Sequence, residues 1–408
     1  MTAPLERPPG WRPAPEPRRR TALVLSGGGA KGAYEVGVMR ALFAGEVSST
    51  GGVPLTADVF TGASVGGYNA VFLASQGAIP GAEANARLEQ VWRTQIADTP
   101  ASCGNGVFRW RADPLQYLSP GCLSTPLQNF AELANDAAFW ARYVVTRSAQ
   151  FLRSTESLEV RLLQSVDFGA LVTWEPFLRL VPATIDFAAL GASPKEVVAI
   201  ACNWREGTVR PFDREAIAET YREQAVLASA AIPGLFPPVV IEDTPYVDGA
   251  TLANTPMAPA IRLGANELHV IYLDPLVRNV PFPTLPETLA TVYRLYVILV
   301  ASNFRGDIAT ALQINRELGQ EGPAGRVTAG RRGRGGAARL SRVAERARRG
   351  RAYRQLTIHT YRPREDLGGV LGLLDFGAQN IDYLIEQGYR DALAHDCEKE
   401  LCVLPEKE

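Results

Sequence analysis

The chain has 408 residues, of which 46% are hydrophobic and 21% charged, with a formal net charge of -1. That is enough to bury one large core with an appended lobe, and so even a balance argues against a general attraction to nucleic acid or anionic surfaces. The first twenty residues lack the apolar run of a signal peptide, and the apolar stretch Val292 to Ala301, broken by Arg294, is shorter than the ~20 residues a bilayer requires, so the expectation is a cytoplasmic protein with no transmembrane helix.

Residues 1–20 read as a disordered tail, because Pro8, Pro9, Pro13, Pro15 and Pro17 oppose regular structure. Ala22 to Leu25 then forms a short apolar run that suits a buried strand, and Ala33 to Phe43 carries Val36, Met39, Leu42 and Phe43 at helical spacing. A second strand is predicted over Ala57 to Thr61 and a second helix over Val65 to Ser75. Two successive strand–turn–helix units predict an α/β protein with a parallel sheet covered by helices. Residues 81–190 read as mainly helical, interrupted by a Gly/Pro/Cys loop over 101–124. Further strands are expected at 196–202, 208–212, 237–242 and 267–273, followed by helix over 286–318. A late strand over 356–361 and a closing helix over 381–393 complete the pattern.

Between those last segments lies an Arg/Gly-rich stretch over 319–354, with eleven arginines from Arg326 to Arg354 opposed mainly by Glu345. It reads as a flexible insertion in which 337–349 has the composition of a basic helix. Its charge suits peripheral contact with anionic lipid head groups, and it lacks the interleaved aromatics of a nucleic-acid binder.

The five cysteines, Cys103, Cys122, Cys202, Cys397 and Cys402, form no C-x-x-C pair, and only three histidines exist to join them. Such spacing predicts free thiols in a reducing compartment and no zinc site, although Cys103 and Cys122 flank a loop that oxidation would close.

The chemistry-bearing motifs lie in the two strand–turn–helix units. Gly62-Ala63-Ser64-Val65-Gly66 is a G-x-S-x-G pentapeptide with a strand before it and a helix after it. Glycines at both flanks permit the sharp turn that exposes a serine at a helix N-terminus. Directly after the first strand, Ser26-Gly27-Gly28-Gly29-Ala30-Lys31-Gly32 can turn several backbone amides toward one point and hold an oxyanion. The same loop also satisfies G-x-G-x-x-G, the dinucleotide fingerprint, with Glu46 near the position of a ribose-binding acid. That acid should end the second strand, however, and a nucleotide site leaves Ser64 unexplained. Lys31 reads equally as an anion contact or as a solvated lysine at a helix start.

A serine nucleophile needs a base. His269 and His359 sit inside apolar strand runs and His395 lies near the C-terminus, so none has the setting of a mobile catalytic imidazole. Asp248 ends an extended segment and is followed at once by Gly249, and a shielded carboxylate there can take the serine proton. An ordinary Asp-Gly turn has the same sequence.

Taken in order, Gly27 to Gly32, Gly62 to Gly66, Ala228 to Pro238 and Asp248-Gly249 resemble the patatin-like phospholipase family. The resemblance covers roughly residues 21–273. It implies a three-layer α/β/α sandwich with a mainly parallel central sheet and additional C-terminal helices. It also implies a Ser64–Asp248 dyad, an oxyanion hole at Gly27, Gly28 and Gly29, and support from Lys31, Gly32, Gly62, Gly66 and Gly249. The reaction implied is serine acyl hydrolysis of a lipid or other acyl ester, with no metal and no cofactor. On this reading residues 21–318 are the catalytic domain, and residues 355–408 are a strand and helix packed on it. Ala250 stands where the family's pattern has a second glycine, which puts the geometry of that turn in question. The competing readings are a dinucleotide-binding Rossmann-type enzyme and a non-catalytic binding protein with the same fold.

Overall fold

The computed structural model describes residues 19–111, 120–123, 126–164, 167–279, 288–320, 355–369 and 371–404. The expected disordered tail, except for its last two residues, and the Arg-rich insertion with its basic helix, except for its first two residues, lie outside the described residues. Ten strands occur among them: β1 (Thr21–Leu25), β2 (Val59–Ala63), β3 (Arg109–Trp110), β4 (Val172–Thr173), β5 (Glu196–Asn203), β6 (Thr208–Asp213), β7 (Val239–Ile241), β8 (Thr244–Asp248), β9 (Glu267–Ile271) and β10 (Thr357–Tyr361).

Eight strands form one sheet in the order β10-β9-β1-β2-β5-β8-β7, with β6 paired to β5. The run from β10 to β5 is parallel, and β6, β7 and β8 add an antiparallel edge. The register sets Leu25 opposite both Gly62 and Ile271, so the chain leaves β1, β2 and β9 side by side at one end of the sheet.

Both faces are covered, as the near-continuous apolar strands require. In β1, Leu23 and Leu25 enter the core on one face while Ala22 and Val24 enter the core on the other. Each fully buried Leu of this kind contributes roughly 1.5–3 kcal/mol. The first face carries α1 (Gly32–Ala44), α2 (Val65–Ser75) and the closing helix Ala378–Leu393. The second carries helix Met257–Arg262 and the long helix Thr288–Gln320, whose Val300, Phe304, Ile308 and Ala311 pack with Leu268, Val270 and Ile358. The architecture is therefore the three-layer α/β/α sandwich.

Three features differ from the sequence reading. The ribbon β3–β4 joins the segment read as a loop over 101–124 to residues read as helical; its pairing of Arg109 with Thr173 is long-range and has no local signature. Cys103 and Cys122 are joined by a disulfide with Cα atoms 4.5 Å apart, leaving Cys202, Cys397 and Cys402 as free thiols. Among the described residues one helical stretch, Arg294–Arg316, is long and apolar enough to cross a membrane, with a mean hydropathy of 1.2 and a third of its apolar window buried. A run that stops before the polar pair Ser302-Asn303 underestimates it, because apolar residues resume at Phe304 and continue beyond Arg305 and Asp307. Its Val300–Ala311 face belongs to the core, while Leu295, Ile298 and Leu299 are exposed.

The closing helix crosses α1 at backbone contact. A Cβ at Gly37 would lie 1.9 Å from the Ile385 carbonyl oxygen, and one at Gly388 would lie 2.0 Å from that of Tyr34. Neither neighbour is a side chain that can swing aside, so Gly388→Ala must separate the helices. Overpacking of this kind costs about 1–3 kcal/mol. A lowered denaturation midpoint for Gly388→Ala, with an unchanged midpoint for the exposed control Gln90→Ala, is the outcome expected from chemical unfolding.

Candidate active site

The turn from β2 into α2 is built around Ser64, which adopts φ 54° and ψ -129°. A non-glycine residue in this region carries roughly 1–3 kcal/mol of strain and persists only when its surroundings enforce it. The flanking glycines make the turn possible. A Cβ at Gly62 would lie 2.2 Å from the Gly66 carbonyl oxygen, and one at Gly66 would lie 2.6 Å from that of Ser26. The Ser64 amide donates to both the carbonyl oxygen and Oγ of Ser229, each at 3.1 Å. Ser229 thus pins the strained turn, a role the sequence segment 228–238 did not reveal.

Asp248 closes β8 beside it. Its carboxyl group lies beside the Ser64 hydroxyl, and the Ala250 amide donates to Asp248 Oδ1 at 2.8 Å. Burial raises the Asp248 pKa to about 7 against the lowering effect of the Ser64 hydroxyl and the Ala250 amide. The Gly249 amide reaches the same Ser229 carbonyl at 3.3 Å, and the Asp248 amide donates to Ala231 at 2.9 Å. Gly249 has no room for a side chain, since a Cβ would lie 2.2 Å from the Ile200 carbonyl oxygen. Ala250 resolves its own question: it begins the helix Ala250–Ala253 and is not among the residues with positive φ, so no second glycine is needed there.

The glycine loop lies against the same turn. A Cβ at Gly27 would fall 2.9 Å from that of Ser64 and 2.8 Å from that of Ala250. The Gly27 amide is already engaged by Asn254, donating to Oδ1 at 3.0 Å and to the carbonyl oxygen at 3.3 Å. Gly28 and Gly29 precede the first helical hydrogen bond, from the Lys31 amide to the Gly28 carbonyl, so the turn does not use their amides. Gly29 takes φ 57° and borders the same cavity as Ser64. Gly32 packs against Val65, where a Cβ would lie 2.5 Å from Cγ2.

Two buried polar arrangements hold the loop. Glu35 accepts from the Ser26 amide at 2.8 Å and from Asn69 Nδ2 at 2.9 Å, and Trp92 Nε1 donates to Asn69 Oδ1 at 3.0 Å. Burial pushes the Glu35 pKa well up. Lys31 is fully buried, with Nζ 3.9 Å from Asp274. Burial pulls its pKa down against the opposing pull of Asp274 and Asp366. The carboxylates it meets are the protein's own, so Lys31 is neither a solvated lysine nor an exposed anion contact.

The cavity beside Ser64 is apolar and narrow, with a volume of about 40 Å³, and is bordered by Tyr68, Trp92, Phe108, Phe177, Phe236 and Phe376. Leu373 and Leu374 also border it, and the Leu373 carbonyl sits where a Cβ of Gly29 would be, 2.2 Å away. No histidine borders it. The three histidines gather instead at the β9–β10 edge, with ring centroids 5.0 Å apart for His269 and His359 and 6.3 Å apart for His359 and His395. His395, near the C-terminus, is buried. Glu46 follows α1 and accepts from Tyr389 at 2.7 Å, far along the chain from the end of β2 where a ribose-binding acid belongs.

The α/β/α sandwich thus brings together a sharp strand-to-helix turn bearing serine, a buried carboxyl and a glycine loop. A family model described as patatin-like phospholipase matches residues 23–261, and the chain belongs to that family of lipid acyl hydrolases. Comparison with curated proteins gives no match. Among solved structures, VipD from Legionella pneumophila is 14% identical, with a TM-score of 0.37 over 93% of this chain and 67% of that one. At that distance the likeness says nothing about activity.

The raised Asp248 pKa has a stability consequence of definite sign. Asp248 ionises more readily in the unfolded chain, so its contribution to folding is fully present below the unfolded pKa, near 3.8, and is lost as pH rises through about 7. Asp248→Asn removes that loss. Its unfolding temperature should exceed that of wild type at pH 8, and the gap should close toward pH 4. A gap of opposite sign at pH 8 would contradict the assignment.

Proposed function

We propose that the chain is a serine acyl hydrolase of phospholipase A or lipid-esterase type, with Ser64 as nucleophile and Asp248 as its base. The observation that carries this reading is a buried carboxyl, its pKa raised to about 7, beside the Ser64 hydroxyl, with the Ser64 and Gly249 amides both donating to the Ser229 carbonyl. A base tuned near the working pH combines a useful ionised fraction with enough basicity to take a proton.

In the proposed sequence Ser64 Oγ attacks the ester carbonyl as its proton passes to Asp248. The negative charge forming on the carbonyl oxygen falls to the glycine loop, where the Gly28 and Gly29 amides are the donors and Gly27 supplies close approach. Collapse of the tetrahedral intermediate releases the alcohol portion, which takes the proton from Asp248 and leaves the acyl group on Ser64. Water then gives a proton to Asp248 and attacks the acyl carbonyl, and the second collapse returns that proton to Ser64 as the free acid departs. Two steps through a covalent ester replace one difficult one. The apolar cavity beside Ser64 suits an acyl chain, and its narrowness means that a long chain enters only as side chains move apart.

Hydrolysis of a short p-nitrophenyl ester and of a phospholipid tests the reading. Ser64→Ala should lower kcat by about 10⁴-fold or more, and Asp248→Asn by about 10²–10⁴-fold. Because the base acts ionised, kcat/KM of the wild type should rise with pH and reach half its limit near pH 7. Full activity of Ser64→Ala on both esters would sink the proposal.

A further inference from the structure

We propose that the C-terminal segment carries a structural zinc site formed by His359, His395, Cys397 and Cys402. The sequence spacing argued against one, but the fold assembles what the spacing separates. The four side chains can each offer a ligand atom, and these atoms all lie within 4.8 Å of one another. Cys397 Sγ is 3.3 Å from His359 Nδ1 and 3.2 Å from His395 Nε2, and Cys402 Sγ is 3.7 Å from His395 Nε2. With zinc–sulfur bonds of about 2.3 Å and zinc–nitrogen bonds of about 2.0–2.1 Å, neighbouring ligands in a tetrahedron stand about 3.3–3.8 Å apart. The observed spacings are close to that range before any ion is placed.

The surroundings hold these groups as supporting shells do in metal sites. Both histidines are buried. The Thr360 amide donates to Cys402 Sγ at 3.4 Å, and Thr360 Oγ1 donates to the Leu401 carbonyl at 3.1 Å. Val403 and Ile358 exchange two backbone hydrogen bonds of 2.8 Å, which draws the segment onto β10. Ser48 Oγ donates to the His395 carbonyl at 3.2 Å, and the Tyr361 ring lies 4.6 Å from that of His395. The His269 ring stacks on His359 and is itself held by Tyr361 Oη, 2.8 Å from His269 Nδ1.

The ligand chemistry selects the ion. Two thiolates cancel the charge of a divalent cation, two neutral imidazoles complete a tetrahedron, and an S₂N₂ set of this shape favours zinc. Four protein ligands leave no open position for a reactive water, so the role is structural and separate from the Ser64 chemistry. The ion would clamp residues 395–402 to β10, the edge strand of the sheet, directly beyond the helix that packs on α1. Binding releases the two thiol protons and forms four metal–ligand bonds, with no change of oxidation state.

The test uses the full chain without a histidine tag, purified under reducing conditions. Elemental analysis should find about one zinc per chain, retained in Ser64→Ala and largely lost in Cys397→Ser and Cys402→Ser. Because those variants can fail to fold, the wild type supplies an independent readout. Replacing its zinc with Co²⁺ should produce thiolate-to-cobalt charge-transfer absorption together with the visible bands of a tetrahedral ion. Chelation should lower the unfolding temperature. Reduced wild type that contains no zinc and gives no charge-transfer band with added Co²⁺ overturns the proposal, as does a Cys397–Cys402 disulfide that binds no metal after reduction. None of these outcomes depends on whether Ser64 is catalytic.

Discussion

The arrangement depends first on the backbone at Ser64. A serine with φ 54° is held in place only because three separate pieces of chain converge on it: β2, the segment bearing Ser229, and the end of β1. Its amide is tied to Ser229, whose carbonyl also accepts from Gly249. The same carbonyl oxygen therefore sets the proposed nucleophile and the turn after the proposed base in one frame. Strain of this size, roughly 1–3 kcal/mol, is small against the burial of the surrounding core.

Close approach extends outward from that turn through glycines that face backbone atoms. Gly62, Gly66 and Gly249 each meet a carbonyl oxygen where a Cβ would stand. The buried Glu35 joins the end of β1 to α2 by accepting from the Ser26 amide and from Asn69, and Asn254 holds the Gly27 amide from the segment after β8. A buried carboxyl with satisfied acceptors is a rigid connector, whereas removal of one partner leaves a costly unpaired group. The glycine loop is thus fixed from two sides, which is the preorganisation that charge stabilisation in a transition state requires.

Much of this was legible in the sequence because it depends on local chain geometry. The first two strand–turn–helix units, the G-x-S-x-G turn and the Asp-Gly pair are contiguous patterns, and their glycines follow from short-range steric limits. The β3–β4 ribbon, the partnership of Ser229 with Ser64 and the link from Asn254 to Gly27 join positions far apart in the chain, so no local pattern carries them. Lys31 shows the same limit from the other direction. Its place in a glycine-rich turn suggested an outward contact, but only the sheet order reveals that the end of β9 brings Asp274 to it.

The histidines join these two lines of reasoning. Composition left three candidates for a general base, and each was set aside because of its neighbours in sequence. The fold supplies a stronger reason, since parallel pairing of β9 with β10 puts His269 directly opposite His359, and the chain after the closing helix returns His395 to the same edge. The cavity beside Ser64 is bordered by apolar and aromatic side chains, and Asp248 is the buried carboxyl beside the serine. Burial has opposite consequences at the two places. Around Asp248 it raises the affinity for a proton, which suits the proposed base. Around His359 and His395 it disfavours the protonated ring, with both pKa values lowered to about 4, and so leaves the imidazoles neutral. One sheet therefore separates a carboxyl suited to exchanging a proton from imidazoles suited to remaining without one.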